Sequence, residues 1–128
     1  MKICSYLLCF VLVFYSCQSI KTPTLLLEKG ISKELAVYRK SQVLNVSYDL
    51  SFEIPKEKEL PIISQLALKV KLGTIQEPLY LDFNEKKENL KSVIVNGKTV
   101  VILHEKEHLI IPKEYLIKGH NLVEVYFI

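Results

Sequence analysis

The sequence predicts an all-β fold, an antiparallel, saddle-like β-sandwich of roughly seven strands with a short N-terminal helix. Three observations carry this expectation. A long period-two run begins at Leu44, further short apolar segments recur between turn residues, and Asn96-Gly97 sits between two β-branched stretches. Strict alternation is the mark of a strand with one apolar face, and Asn-Gly supplies the positive φ angles of a two-residue hairpin.

The order of elements follows from local chemistry. Ser32 is placed to cap a helix running to Gln42, with Ile31, Leu35 and Tyr38 on one face and Lys33, Arg39 and Lys40 expected to face water. Leu44, Val46, Tyr48, Leu50, Phe52 and Ile54 then alternate with Asn45, Ser47, Asp49, Ser51 and Glu53, and Pro55 to Glu59 closes that strand with a charged turn. A second alternating strand places Leu66, Leu68, Val70 and Leu72 on one face, as an antiparallel neighbour of the first. Leu79 to Phe83 makes a short third strand, followed by a charged turn over Asn84 to Asn89. Val93 to Val95 leads into the Asn96-Gly97 turn, with Thr99 to Leu103 as the return strand. Leu109 to Ile111 and Leu122 to Ile128 complete the set. The last strand is apolar, so Phe127 and Ile128 are either buried in the sheet or followed by further sequence.

At 128 residues the chain has room for one domain with a real core. Seventeen basic residues stand against 14 acidic ones, a near-balance that gives no reason to expect nucleic acid as a partner. Lys2 precedes an uncharged, mostly apolar run from Ile3 to Tyr15, which is shorter than the roughly 20 residues needed to span a bilayer and is organised like an export signal. The run ends in Phe14-Tyr15-Ser16-Cys17, which resembles a bacterial lipoprotein box, with bulkier residues than usual before the small Ser16. The expected organisation is a lipoprotein signal peptide over 1–16, a tether over 17–29 beginning at a lipidated Cys17, and the sandwich over 30–128. Acyl chains, at roughly 0.8 kcal/mol per buried CH₂, would hold such a protein on a membrane without help from its surface. The location this implies is the envelope of a Gram-negative bacterium, facing the periplasm or the surface. Cys4, Cys9 and Cys17 are the three cysteines, so a mature chain starting at Cys17 has no partner for an internal disulfide.

His104-Glu105-Lys106-Glu107-His108 satisfies the H-E-x-x-H pattern of zinc proteases. On a helix, the two imidazoles would share a face and Glu105 would serve as base for a zinc-bound water. The surrounding residues oppose a helix: Val100 to Leu103 is strand-forming, and Pro112 follows within one turn. The position of the distant Glu ligand in the gluzincin pattern is taken by Phe127, and the metzincin Gly and third His positions are Ile111 and Glu114. The string therefore reads as a solvated turn between two strands, its His and Glu side chains facing water. His104, Glu105 and His108 are not expected to bind metal. Glycines are few and scattered, no serine nucleophile with its partners is visible, and His120 reads as a loop residue.

Several stretches resemble a known domain. They are Gly30 to Ala36 with Tyr38 to Lys40, Val46 to Pro55, Pro78 to Phe83, Leu90 to Lys98, and Glu107 to Pro112. In order and spacing they are similar to the N-terminal domain of the aminopeptidase N family of zinc metallopeptidases. The resemblance implies a saddle-like sandwich that precedes, and helps cover, a thermolysin-like catalytic domain. It implies no catalytic residue and no cofactor in this chain, because zinc and the G-x-M-E-N motif belong to the catalytic domain and Met1 is the one methionine present. It also implies that the chain stops before the family domain would end. The functional expectation is a non-catalytic, lipid-anchored module partnered with an aminopeptidase catalytic part, or else an envelope binding module.

Overall fold

A computed structural model describes residues 27–128. The signal segment, Cys17 and most of the tether lie outside the described residues. Two antiparallel sheets form a sandwich-like fold with one short helix. Helix α1 spans Lys33–Gln42, and the strands are β1 Val43–Glu53, β2 Ile63–Leu72, β3 Leu79–Asp82, β4 Leu90–Val95, β5 Lys98–Val100, β6 Leu103–Glu105, β7 His108–Ile111 and β8 Gly119–Phe127. The large sheet has the order β1-β2-β8-β4-β5 and the small one β3-β7-β6.

The fold class agrees with the sequence, with particular differences. The expected return strand Thr99 to Leu103 is two strands: β5 closes the Asn96-Gly97 hairpin in the large sheet, and after Val101 and Ile102 the chain enters the small sheet as β6. Asn96 and Gly97 take positive φ angles of 51° and 79°, as the turn requires. His120 lies on β8 and not in a loop. The terminal strand β8 is interior, hydrogen-bonded between β2 and β4. Phe127 is half-buried there, in an edge-to-face contact with Phe83.

The core lies between the sheets. Leu68, Val70 and Leu72 of β2, Val123 and Val125 of β8, and Val93 and Val95 of β4 face Leu79, Leu109 and Ile111 of the small sheet. Asn121, like the small Ser64 on β2, is a buried polar residue at this layer. Its Oδ1 accepts from the Ile117 N–H (2.8 Å) and from Asn96 Nδ2 (2.9 Å), while its Nδ2 donates to the Ile117 and Gly119 carbonyls. Every polar atom of this buried amide is thus paired, which removes the usual cost of burying one.

β1 departs from expectation. After a bulge between Val43 and Asn45 it follows its alternation, in register Val46↔Val70, Tyr48↔Leu68 and Leu50↔Leu66 with β2, so these apolar side chains lie on the same face of the sheet as the core. Nothing among the described residues covers them. Leu44, Tyr48, Leu50, Phe52 and Ile54 are all exposed, Tyr48 at 67% and Phe52 at 57%. The three-stranded sheet is narrower than the five-stranded one, and it leaves β1 outside the layer.

Candidate functional site

The H-E-x-x-H string is a β-hairpin. β6 and β7 are joined by Lys106 and Glu107, both at positive φ (48° and 70°), and Glu105 pairs with His108 across the turn. Directly opposed residues share a face and successive residues alternate. His108 therefore shares a face with Glu105, whereas His104, paired with Leu109, points to the other. A hairpin thus places the two imidazoles on opposite sides of a sheet, where a helix would have aligned them.

Both rings are occupied. His104 Nε2 lies 2.8 Å from the Phe83 carbonyl, and its ring meets Phe83 edge-on at 5.7 Å. His108 is fully buried, with Nδ1 3.1 Å from Asp82 Oδ1 and Nε2 3.1 Å from the Glu28 carbonyl. A carbonyl oxygen only accepts, so Nε2 is a donor in each ring; the Nδ1 lone pair left to His104 lies on the other face of the sheet from His108, whose Nδ1 is turned to Asp82. The expectation that these side chains face water is therefore corrected for His108, which is buried, and for His104 and Glu107, which are half-buried. Glu105 does face solvent.

The turn grips the chain's own entering segment. Lys106 Nζ donates to the Leu27 carbonyl (2.9 Å), the Gly30 N–H donates to Glu107 Oε2 (3.2 Å), and Lys29 pairs with Glu107 at 3.6 Å. With the His108 contact to Glu28, three consecutive residues of the string hold Leu27 to Gly30 against the small sheet.

Beside the string stands a charged cluster that the sequence did not indicate. Arg39 of α1, expected in water, makes a two-pronged pair with Asp82 of β3 (2.7 and 3.0 Å), and Asp82 also receives His108. Forty-three residues separate Arg39 from Asp82, and only the packing of α1 along β3 brings them together. That packing is fixed by the Ser32 cap, which accepts from the Leu35 N–H, and by Tyr38 and Gln42, which donate to the Pro78 and Glu77 carbonyls. Burial pushes the Tyr38 hydroxyl up to about 12.

The hydrogen bonds from Arg39 hold the Asp82 carboxyl below its ordinary range, against the opposing effect of partial burial. A carboxyl depressed in the folded state stabilises above its unfolded value, about 3.9, and that contribution is lost as the pH falls through the folded value. The stability gap between the wild type and Asp82→Asn is therefore expected to be full at neutral pH and to close under acid. Melting both proteins from pH 7 downward checks this, and a gap that holds constant would contradict it.

Between α1, β1–β2 and β3 runs an open groove of about 330 Å³, lined by Val46, Tyr48, Leu66, Leu68, Tyr80 and Arg39 among others. Its walls are mostly apolar, with the Arg39–Asp82 pair on one side. Among the described residues, no three His, Cys, Asp or Glu side chains come together as a metal site, and no helix is long and apolar enough to cross a membrane. The zinc that the string suggests does not fit His104 and His108. Protein purified without added metal is expected to hold no stoichiometric zinc; zinc that is present and lost in a His104→Ala/His108→Ala variant would refute this. No family model, curated protein or solved structure matches the chain.

Proposed function

We propose that this chain is an exported, lipid-anchored, non-catalytic sandwich module of the aminopeptidase N type, which holds and shields a catalytic part carried elsewhere. The observation that supports this reading most is the fate of the string at His104 to His108. Its residues are spent on structure: one ring supports the loop after β3, the other is buried, and the turn clamps the entering chain. A module that grips its tether in this way is suited to present the rest of its surface to a partner. From Cys17 to Leu27 is about ten residues, a reach of at most roughly 35 Å when extended, so an anchored Cys17 would keep the β6–β7 end near the membrane.

Three tests bear on the proposal. In detergent phase partitioning, the full chain is expected in the detergent phase and Cys17→Ala in the aqueous phase; equal partitioning would end the anchored reading. An aminoacyl chromogenic substrate should remain intact with the chain alone, with or without zinc. Chelator-sensitive hydrolysis lost in His104→Ala/His108→Ala would overturn the non-catalytic reading. If the catalytic part is a separate chain encoded alongside, the DNA downstream is expected to encode a zinc helix with its distant Glu ligand, and an unrelated frame there would sink that version. The uncovered face of β1 favours the second reading, an envelope interaction module.

A further inference from the structure

Among the described residues the sandwich has four sheet edges, and three are blunted. β5 and β6 are three residues long, and β3 is four residues long with α1 packed along it. β1 is different. It is 11 residues long, lies at the margin of its sheet, and carries neither Lys nor Pro; its charges are Asp49 and Glu53 alone, and its bulge is confined to the start, between Val43 and Asn45, leaving a long regular edge beyond it. The Val46 N–H shows which groups face outward: it donates to the neighbouring Asn45 side chain (2.8 Å) and not across to β2. In an antiparallel ladder alternate residues point their N–H and C=O the same way, so Val46, Tyr48, Leu50 and Phe52 offer backbone donors and acceptors at the open edge. The same four side chains are the uncovered apolar ones.

We propose that β1 pairs antiparallel with β1 of a second copy of this chain, Tyr48 opposite Tyr48, joining the two five-stranded sheets into one. The register follows from three conditions. Only residues of the even set can face each other across the new ladder with their hydrogen-bonding groups aimed at the partner. Centring the pair on Tyr48 aligns Asn45 to Ser51 of the two copies, all within the regular ladder that follows the bulge between Val43 and Asn45. That centre also sets Asp49 against Ser47, Val46 against Leu50 and Asn45 against Ser51, so no like charges oppose, whereas moving it one residue toward the C-terminus would place Asp49 against Asp49 and moving it one toward the N-terminus would shorten the regular ladder. β1 is thus self-complementary: each copy brings the alternating strand that the other's edge would take up.

Size sets the strength. At about 3.4 Å per residue the edge is about 37 Å long, and a contact about 10 Å deep removes on the order of 400 Å² from each copy. Counting both copies, that is about 800 Å² at most, below the size of stable specific interfaces, so the pair is a weak, reversible dimer which confinement to a membrane would favour. A two-fold pairing uses both β1 edges and stops at two.

The test uses the full chain in cells, with p-benzoylphenylalanine installed at Leu50. Irradiation is expected to give one crosslinked species at twice the chain mass, mapped by mass spectrometry to the vicinity of Val46 in a second copy. Val46→Pro removes an outward N–H and leaves the ladder to β2 intact, and Tyr48→Lys sets like charges on the two-fold axis. Each is expected to lower the crosslinked dimer by about tenfold with little change in melting temperature at protein concentrations too low to populate the dimer. Crosslinks to a different protein, an extended series of multimers, no crosslinked dimer, or a dimer undiminished in both variants would each overturn the proposal.

Discussion

His108→Ala is expected to lower the unfolding free energy by about 3 kcal/mol. The substitution removes a fully buried ring, and with it a hydrogen bond to a charged group, about 1.5–3 kcal/mol, and one to a carbonyl, about 1 kcal/mol. It also leaves a cavity under the entering segment, which can relax only by releasing Glu28. For a domain of this size, 1 kcal/mol corresponds to roughly 4–8 °C, so the melting temperature should fall by about 12–24 °C. His104→Ala loses one hydrogen bond and an edge contact at a half-buried position, and should cost about 1 kcal/mol. Thermal melts of the two single variants, with and without chelator, separate structure from metal chemistry. A zinc pair would make both variants sensitive in the same way and would make the wild type itself sensitive to chelator. The structural assignment requires unequal losses and no effect of chelator.

What could be read from the sequence was whatever is encoded locally. The Ser32 cap, the alternation of β1 and β2, and the Asn96-Gly97 turn each depend on residues a few positions apart, and each formed as expected. The hairpin at His104 to His108 was legible for the same reason, because β-branched residues before it and Pro112 after it exclude a helix. Contacts between distant segments were not legible. Arg39 looked like a solvated helix residue, and nothing in its neighbourhood names Asp82 as its partner. The burial of His108 depends on Glu28, eighty residues away along the chain. The switch of sheets between β5 and β6 also escaped, because an uninterrupted strand-forming stretch does not record where it leaves one ladder for another.

Alternation likewise reports that a face is apolar without reporting whether anything lies over it, and a pair of leucines makes that difference measurable. Leu68→Ala should cost about 2–5 kcal/mol, since Leu68 is 1% exposed between the two sheets and a cavity there cannot collapse without moving β3 or β7. Leu50 has the same pattern on the neighbouring strand but is 48% exposed, and truncating it should cost under about 1 kcal/mol. Denaturant titrations at several protein concentrations give both numbers and add a discriminating dimension. If β1 pairs with a second copy, the Leu50→Ala deficit grows with concentration by mass action, because the interface stabilises the folded state only when occupied; the Leu68→Ala deficit does not. A Leu50→Ala cost as large as that of Leu68→Ala at every concentration would mean that β1's apolar face is permanently covered within the intact protein. The open groove beside Tyr48 would then be part of a core, and the self-pairing of β1 would lose its basis.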